Sequence, residues 1–264
     1  MIGPKILHLD IETAPIIAYT WGLWQQNVGL NQIAGEWSVL SYCAWWEHES
    51  HDVSLVKYRD VRGQADLRDD STLLADLWEL LNEADFVVAQ NGIRFDLKKI
   101  RARMILNGYP PFKPVRVIDT LEIAKGVFGF TSNKLEWMST YLGRVKKRKH
   151  EKFPGFELWK ECLNGNEEAW EEMRLYNVDD VVSLREVWLE LRPWASKHPN
   201  LAAFYDDELM RCTKCGSAEM TPDGDTKTDV GHYRTYRCDN CGGFSRDRYT
   251  RNTIGKRRNL LTAQ

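Results

Sequence analysis

Two cysteine pairs near the C-terminal end, Cys212-Thr-Lys-Cys215 and Cys238-Asp-Asn-Cys241, constrain this chain most, because they draw four side chains toward one point. Two CxxC knuckles offer four thiolates, the donor set of a tetrahedral structural zinc, and a reducing compartment favours such a metal over disulfides. Gly216 and Gly242 follow the knuckles directly, as a tight turn around a metal requires. The 22 residues between the pairs are slightly more than usual and leave room for a long hairpin. A zinc ribbon over residues 209–264, starting near Leu209, is too small to fold without its metal. Cys43 and Cys162 stand alone in strand-like and helix-like segments and read as small buried hydrophobes.

The 264 residues are 43% hydrophobic, enough for one large domain, residues 1–200, ahead of the ribbon. No apolar run is long enough to span a bilayer, and MIGPKILHLD lacks a charged n-region and cleavage site, so a soluble, cytoplasmic protein with no membrane partner is expected. A net charge of −2 excludes a globally basic nucleic-acid coat, so attraction to phosphates has to be local. Residues 231–264 supply one such place: Arg234, Arg237, Arg246, Arg248, Arg251, Lys256, Arg257 and Arg258 stand against Asp239 and Asp247. Tyr233, Tyr236, Phe244 and Tyr249 are interleaved with them as surfaces for stacking bases, unless they pack the ribbon's own small core.

LHLDIET, residues 7–13, has the character of a buried strand but contains Asp10 and Glu12. Alternation sends those two to one face, with Leu9 and Ile11 on the other. Like charges side by side either raise a pKa or call for a cation; the plainer reading is a strand end open to water. Strand-like segments follow at residues 37–47 and 52–58, completing an antiparallel meander. Leu73, Leu74, Leu77, Leu80 and Leu81 then make a helical stripe with Ser71 as its cap. Strands at 85–90 and 115–119 alternate with a helix entered near Phe95, and longer helices cover 134–142 and 167–191. Strands first and helices later predict an α/β mixed sheet flanked by helices. Two further acids mark this part: Asp96 in a helix's first turn, and Asp180 one turn after Tyr176. Taken singly, Asp96 reads as a helix-capping acid, and Asp179 and Asp180 as a solvated face.

Together, Asp10-Ile-Glu12, Asn91-Gly-Ile-Arg-Phe-Asp96 and Tyr176-Asn-Val-Asp-Asp180 resemble, in order and spacing, the three motifs of DEDD exonucleases in the Tyr-containing DEDDy branch of the ribonuclease H-like (DnaQ-like) superfamily. Val117-Ile-Asp-Thr-Leu121 and Asn133-Lys-Leu135 are similar to the intervening strand and helix start, while Gln90 stands where relatives often carry His. The likeness covers about the first 195 residues and is closest to stand-alone exonucleases of bacteriophages and bacteria, akin to the proofreading domains of family B DNA polymerases. It implies a ribonuclease H-like fold and 3′-to-5′ removal of nucleotides from a single-stranded end, with DNA the expected polymer. It also implies two Mg²⁺ or Mn²⁺ ions held by Asp10, Glu12, Asp96 and Asp180, with Asp10 shared, and a Tyr176 hydroxyl that orients the attacking water. Hard cations prefer carboxylate oxygens, which explains acids here and thiolates in the ribbon.

A structure-specific endonuclease on the same fold, and a non-catalytic zinc-ribbon binding protein, are the alternatives. The ribbon lies outside the resemblance, and would grip nucleic acid or a replication or repair protein. Candidate strand contacts are Trp21 and Trp24 in the connection 18–32, Asn91 at the turn before Asp96, the run Lys146, Lys147 and Arg148, and Arg234, Arg237, Arg246 and Arg248. For Trp21 and Trp24 the plainer expectation is a hydrophobic plug under a long loop; for the basic run it is a solvated loop.

Overall fold

The computed structural model describes residues 3–48, 52–143 and 152–262. Strands come first: Ile6–Thr13 (β1), Ile17–Ala18 (β2), Ile33–Gly35 (β3), Val39–Trp46 (β4) and Lys57–Asp60 (β5). Ser71–Glu83 (α1), Phe86–Ala89 (β6), Asp96–Leu106 (α2), Arg116–Asp119 (β7) and Thr120–Val127 (α3) then alternate. Leu135–Leu142 (α4), Glu157–Leu163 (α5) and the long helix Glu167–Leu191 (α6) follow. Met220–Lys227 (β8), His232–Cys238 (β9), Phe244–Arg246 (β10) and Ile254–Asn259 (α7) complete the order. The chain divides into two compact units, Lys5–Trp188 and Leu189–Gln264 with Met1–Pro4.

In the larger unit the sheet order is β5-β4-β1-β6-β7. β1 pairs antiparallel with β4, and β4 with β5, while β6 runs parallel to both β1 and β7. This is the mixed sheet expected from the sequence, opened by the expected meander. β1 is central, with side chains buried on both faces. On one, Leu7, Leu9 and Ile11 share a core with Leu73, Leu74, Leu77 and Leu81 of α1 and Leu97, Ile100 and Met104 of α2. Each such side chain contributes about 1.5–3 kcal/mol by leaving water. On the other, Cys43 and Trp45 of β4 pack against Val181 and Val182 of α6. In the first part of α6 burial recurs at helical spacing, at Trp170, Met173, Asn177 and Asp180, and from Asp180 to Arg185 every residue is buried.

Two local expectations change. The segment 52–58 is not one strand: Asp52 accepts a hydrogen bond from Ser54 N at 2.9 Å, capping a 3₁₀ turn Val53–Leu55, so strand β5 starts only at Lys57. Ser71 is the first residue of α1 rather than its cap. The cap position belongs to Asp70, whose carboxylate instead pairs with Arg103 at 2.7 and 2.8 Å and accepts from Val39 N at 3.0 Å. A buried acid is better satisfied by a two-pronged guanidinium than by a helix end.

The smaller unit holds a three-stranded antiparallel sheet ordered β10-β9-β8, with a register shift in β8 between Pro222 and Asp225. Among the described residues no helix is long and apolar enough to cross a membrane.

Candidate functional site

β1 presents Asp10 and Glu12 on the face opposite Leu9 and Ile11, and α6 crosses that face with Asp180. Asp10, Glu12 and Asp180 each place a carboxylate oxygen within 4.8 Å of the others. The expectation that Asp180 lies on a solvated face is therefore corrected: it is buried, because it falls on the stripe of α6 that packs on the sheet. Two like-charged acids on adjacent same-face positions and a third from a buried helix stripe are unfavourable without a cation. Oxygen donors so grouped fit a hard divalent ion.

The cluster is held from outside by groups that the motifs alone did not reveal. Asn177 Nδ2 donates to Asp10 Oδ2 at 2.6 Å, and Ser41 Oγ donates to Asn177 Oδ1 at 3.1 Å. Ser41 lies opposite Glu12 in the β1–β4 ladder, beside the bulge between Glu12 and Thr13. A bulge re-aims the end of a strand, which suits a site at its rim. Trp159 Nε1, on α5, donates to Glu12 Oε2 at 3.1 Å. The Trp159 ring also meets Tyr176 edge-on, with centroids 6.0 Å apart. One indole thus touches both a cluster acid and the tyrosine. A sequence signal for Asn177 exists in retrospect, since it is polar at an apolar stripe position, three residues before Asp180 and four before Val181.

Asp96 is placed differently from the other three. It is 2% exposed at the start of α2, and its Oδ1 accepts from Ile11 N at 3.2 Å, pinning the helix against β1 between Asp10 and Glu12. Burial lifts its carboxyl to about 7; the charge of Asp119 adds to that rise and backbone N–H donors oppose it. It is not one of the three acids gathered within 4.8 Å. The turn before it is held by Asp119, whose carboxylate accepts from Asn91 N at 2.9 Å and Ile93 N at 3.1 Å. Asn91 takes a positive φ of 64°, and a Cβ on Gly92 would lie 2.4 Å from that of Ala89. Only glycine fits there, so the Asn-Gly pair is a packing requirement of the site. Gln90 Nε2 donates to the carbonyl of Asn133 at 2.9 Å and its Oε1 accepts from Thr120 at 2.5 Å, a structural use of that position.

A cleft of about 590 Å³ opens beside Glu12, lined by Thr13, Ile16, Trp37, Lys99, Phe156 and Trp159. The Lys99 ammonium sits 3.7 Å from the centre of the Trp37 ring. Sequence reasoning missed this aromatic wall because Trp37, Phe156 and Trp159 come from three separate segments. Trp21 and Trp24 are not the buried plug expected of a long loop. They are 99% and 85% exposed, since β2 and β3 pair only at the loop's base and its tip extends into water. Lys146, Lys147 and Arg148 lie outside the described residues.

In the smaller unit the four cysteines converge, with Sγ atoms within 4.8 Å of one another and Cys212–Cys241 and Cys215–Cys238 at 3.7 and 3.5 Å. Gly216 and Gly242 have φ of +75° and +74°, and their N–H groups close the knuckles onto Cys212 O at 2.9 Å and Cys238 O at 2.8 Å. Hydrogen bonds from Cys215 and Cys241 lower the Cys212 thiol while hydrogen bonds to Cys212 and Cys215 raise that of Cys241, so the clustered sulfurs share protons that a bound metal would displace. The cluster and the three-stranded sheet fit a zinc ribbon. Of the basic residues expected to meet nucleic acid, Arg237 is paired with Asp223 at 2.8 Å. Arg234, Arg246 and Arg248 are exposed and, among the described residues, form no ion pair.

Comparison with curated proteins gives no match. Among solved structures, the family B DNA polymerase from the hyperthermophilic archaeon Pyrobaculum calidifontis is similar at 14% identity and a TM-score of 0.47. The likeness covers 72% of this chain and 26% of that one, so this chain spans about a quarter of the polymerase's length. The family model of the RNase_H superfamily matches residues 7–191, the stretch that carries the mixed sheet and every acid of the cluster. By that match, which takes in well over half of its length, the chain belongs to the RNase_H superfamily.

Proposed function

We propose that the protein is a metal-dependent 3′-to-5′ exonuclease of the DEDDy type, acting on single-stranded nucleic acid, with DNA the expected polymer. Family membership and the acid cluster support a nuclease; the placement of Tyr176 carries the finer reading. It lies one helical turn before Asp180 and is braced by the same indole that holds Glu12. Asp10, Glu12 and Asp180, joined by Asp96, are the residues that hold Mg²⁺ or Mn²⁺. When bound, two such ions supply the charge that makes water nucleophilic at neutral pH and stabilises the leaving oxygen. The Tyr176 hydroxyl orients the attacking water, and Trp159 keeps its ring from swinging away. Asn177, anchored on Ser41, fixes the rotamer of Asp10. The cleft beside Glu12 receives the terminal nucleotide, with Trp37 and Phe156 offering faces to a base and Lys99 a charge to a phosphate. In the smaller unit one Zn²⁺ is held by Cys212, Cys215, Cys238 and Cys241 as a structural ion.

The test uses 5′-labelled single-stranded DNA, the same sequence in RNA, and 3′-blocked copies of both, with Mg²⁺ or Mn²⁺ and with Asp10→Ala protein alongside. The expected result is a ladder that shortens from the free 3′ end and is lost in the variant and on blocked ends. Internal cuts on blocked substrates would replace this reading with an endonuclease, and no metal-dependent cutting of any substrate would remove it.

A further inference from the structure

We infer that one face of the β10-β9-β8 sheet is a second binding surface for single-stranded nucleic acid, centred on Arg246 and Phe244. The inference deepens the nuclease reading, on which the choice of ligand rests. Residues directly opposite in an antiparallel ladder share a face, and here Phe244 stands opposite Arg237 and Arg246 opposite Thr235. The Arg237 guanidinium lies 4.5 Å from the centre of the Phe244 ring, and that of Arg246 3.9 Å from the Tyr233 ring. Cations and aromatic rings thus alternate across one surface, the pattern that lets bases stack while phosphates meet charge. Beside them opens a cavity of about 580 Å³ lined by Lys214, Thr226, Thr235, Phe244, Ser245 and Arg246.

Charge separates the cations on this surface. Arg237 is neutralised by Asp223 at 2.8 Å. The Lys214 ammonium donates to the carbonyls of Pro193 and Ala195 at 2.6 and 2.7 Å. Arg246 is exposed at the cavity, its guanidinium over the Tyr233 ring, and among the described residues it has no carboxylate partner. Phe244 is 46% exposed beside it. Hydroxyl groups and an unneutralised guanidinium around one open ring suit a phosphodiester and its base better than they suit an apolar protein surface. The eight Lys and Arg that stand against Asp239 and Asp247 in residues 231–264 give a charge of the matching sign.

The test is fluorescence anisotropy of labelled oligothymidylate and oligouridylate with the full chain, without added divalent cation, so that binding is read apart from cleavage. Zinc content is measured for every variant. Phe244→Ala and Arg246→Ala are each expected to weaken binding by about five- to tenfold. Arg246→Ala should also flatten the dependence of log K on log salt by about one unit. Arg237→Ala should cost less, and Phe244→Tyr should retain affinity. Unchanged affinity in both alanine variants with zinc retained would overturn the inference, as would failure of the intact protein to bind either polymer. Loss of affinity in Phe244→Tyr equal to that in Phe244→Ala would overturn the stacking role. Binding that persists where no substrate is cleaved would leave this surface standing and remove the nuclease reading.

Discussion

The acid cluster and the cysteine cluster are both places where a metal fits, yet they stand in opposite relation to their surroundings. Asp10 and Glu12 sit on a sheet whose other face is packed with apolar side chains from α1 and α2, and Asp180 meets them from α6. That unit has its own core, and the acids are a cost carried by it. Cys212, Cys215, Cys238 and Cys241 sit in a unit whose three strands are mostly exposed, so a metal there would substitute for a core. Removing a ligand should therefore destabilise one unit and stabilise the other, which is the difference between a structural site and a functional one.

The largest effect is expected from Cys215→Ser or from chelation of zinc. Binding free energies of structural zinc sites are about 10–16 kcal/mol, and that free energy is folding free energy. Limited proteolysis should then digest residues 189–262 and spare Lys5–Trp188. Protection of both units after zinc loss would erase the contrast. Next comes Asp180→Asn, which should bring cleavage to background while raising the melting temperature of metal-free protein, because one of three clustered charges is gone. A drop in melting temperature would mean that the acids hold the fold together.

A smaller effect follows from the groups that position the acids. Asn177→Ala should reduce metal affinity or turnover by about 10–100-fold, as removal of an outer-shell partner usually does, with Ser41→Ala milder. Isothermal titration with Mn²⁺ beside single-turnover cleavage would check it; wild-type values in both would free Asp10 from that support.

The smallest effect is a slope with pH. Asp96 titrates near 3.8 in an unfolded chain and, through burial, at about 7 when folded. Between those values the folded protein keeps a proton that the unfolded chain has released, so metal-free stability is full below the lower value and falls as pH rises toward the upper one. Melts of the metal-free protein across that window should show the decline, and Asp96→Asn should remove it. Added Mn²⁺ should oppose it, since a carboxylate that binds metal must lose its proton. A flat profile in the unsubstituted protein would contradict the assignment.

Much of this was legible along the chain wherever a property is local and periodic. The period-2 alternation in LHLDIET put Asp10 and Glu12 on one side, and the leucine stripe of α1 and the extent of α6 could be read from spacing. The two knuckles with their glycines needed no tertiary information. Misreadings came from a distant competitor, from a local turn and from a loop that leaves the surface. Asp70 left the helix end for Arg103, Asp52 turned the chain before β5 could begin, and Trp21 and Trp24 extend into water, 99% and 85% exposed.

The sequence by itself therefore determined the class of sheet and the four cysteines that gather, because alternation, helical repeat and short turns are set by neighbours along the backbone, while Asp96 and Asp180 became candidate acids only through the motifs' resemblance to a known family. Only the tertiary structure decided that Asp180 is buried against β1, that Asp96 spends its carboxylate on Ile11 N, that Asn177 and Trp159 hold the acids, and that, among the described residues, Arg246 rather than Arg237 is left without a counter-charge. Those outcomes depend on which groups, tens of residues apart, reach a partner first and at what cost in desolvation, and no local pattern encodes that contest.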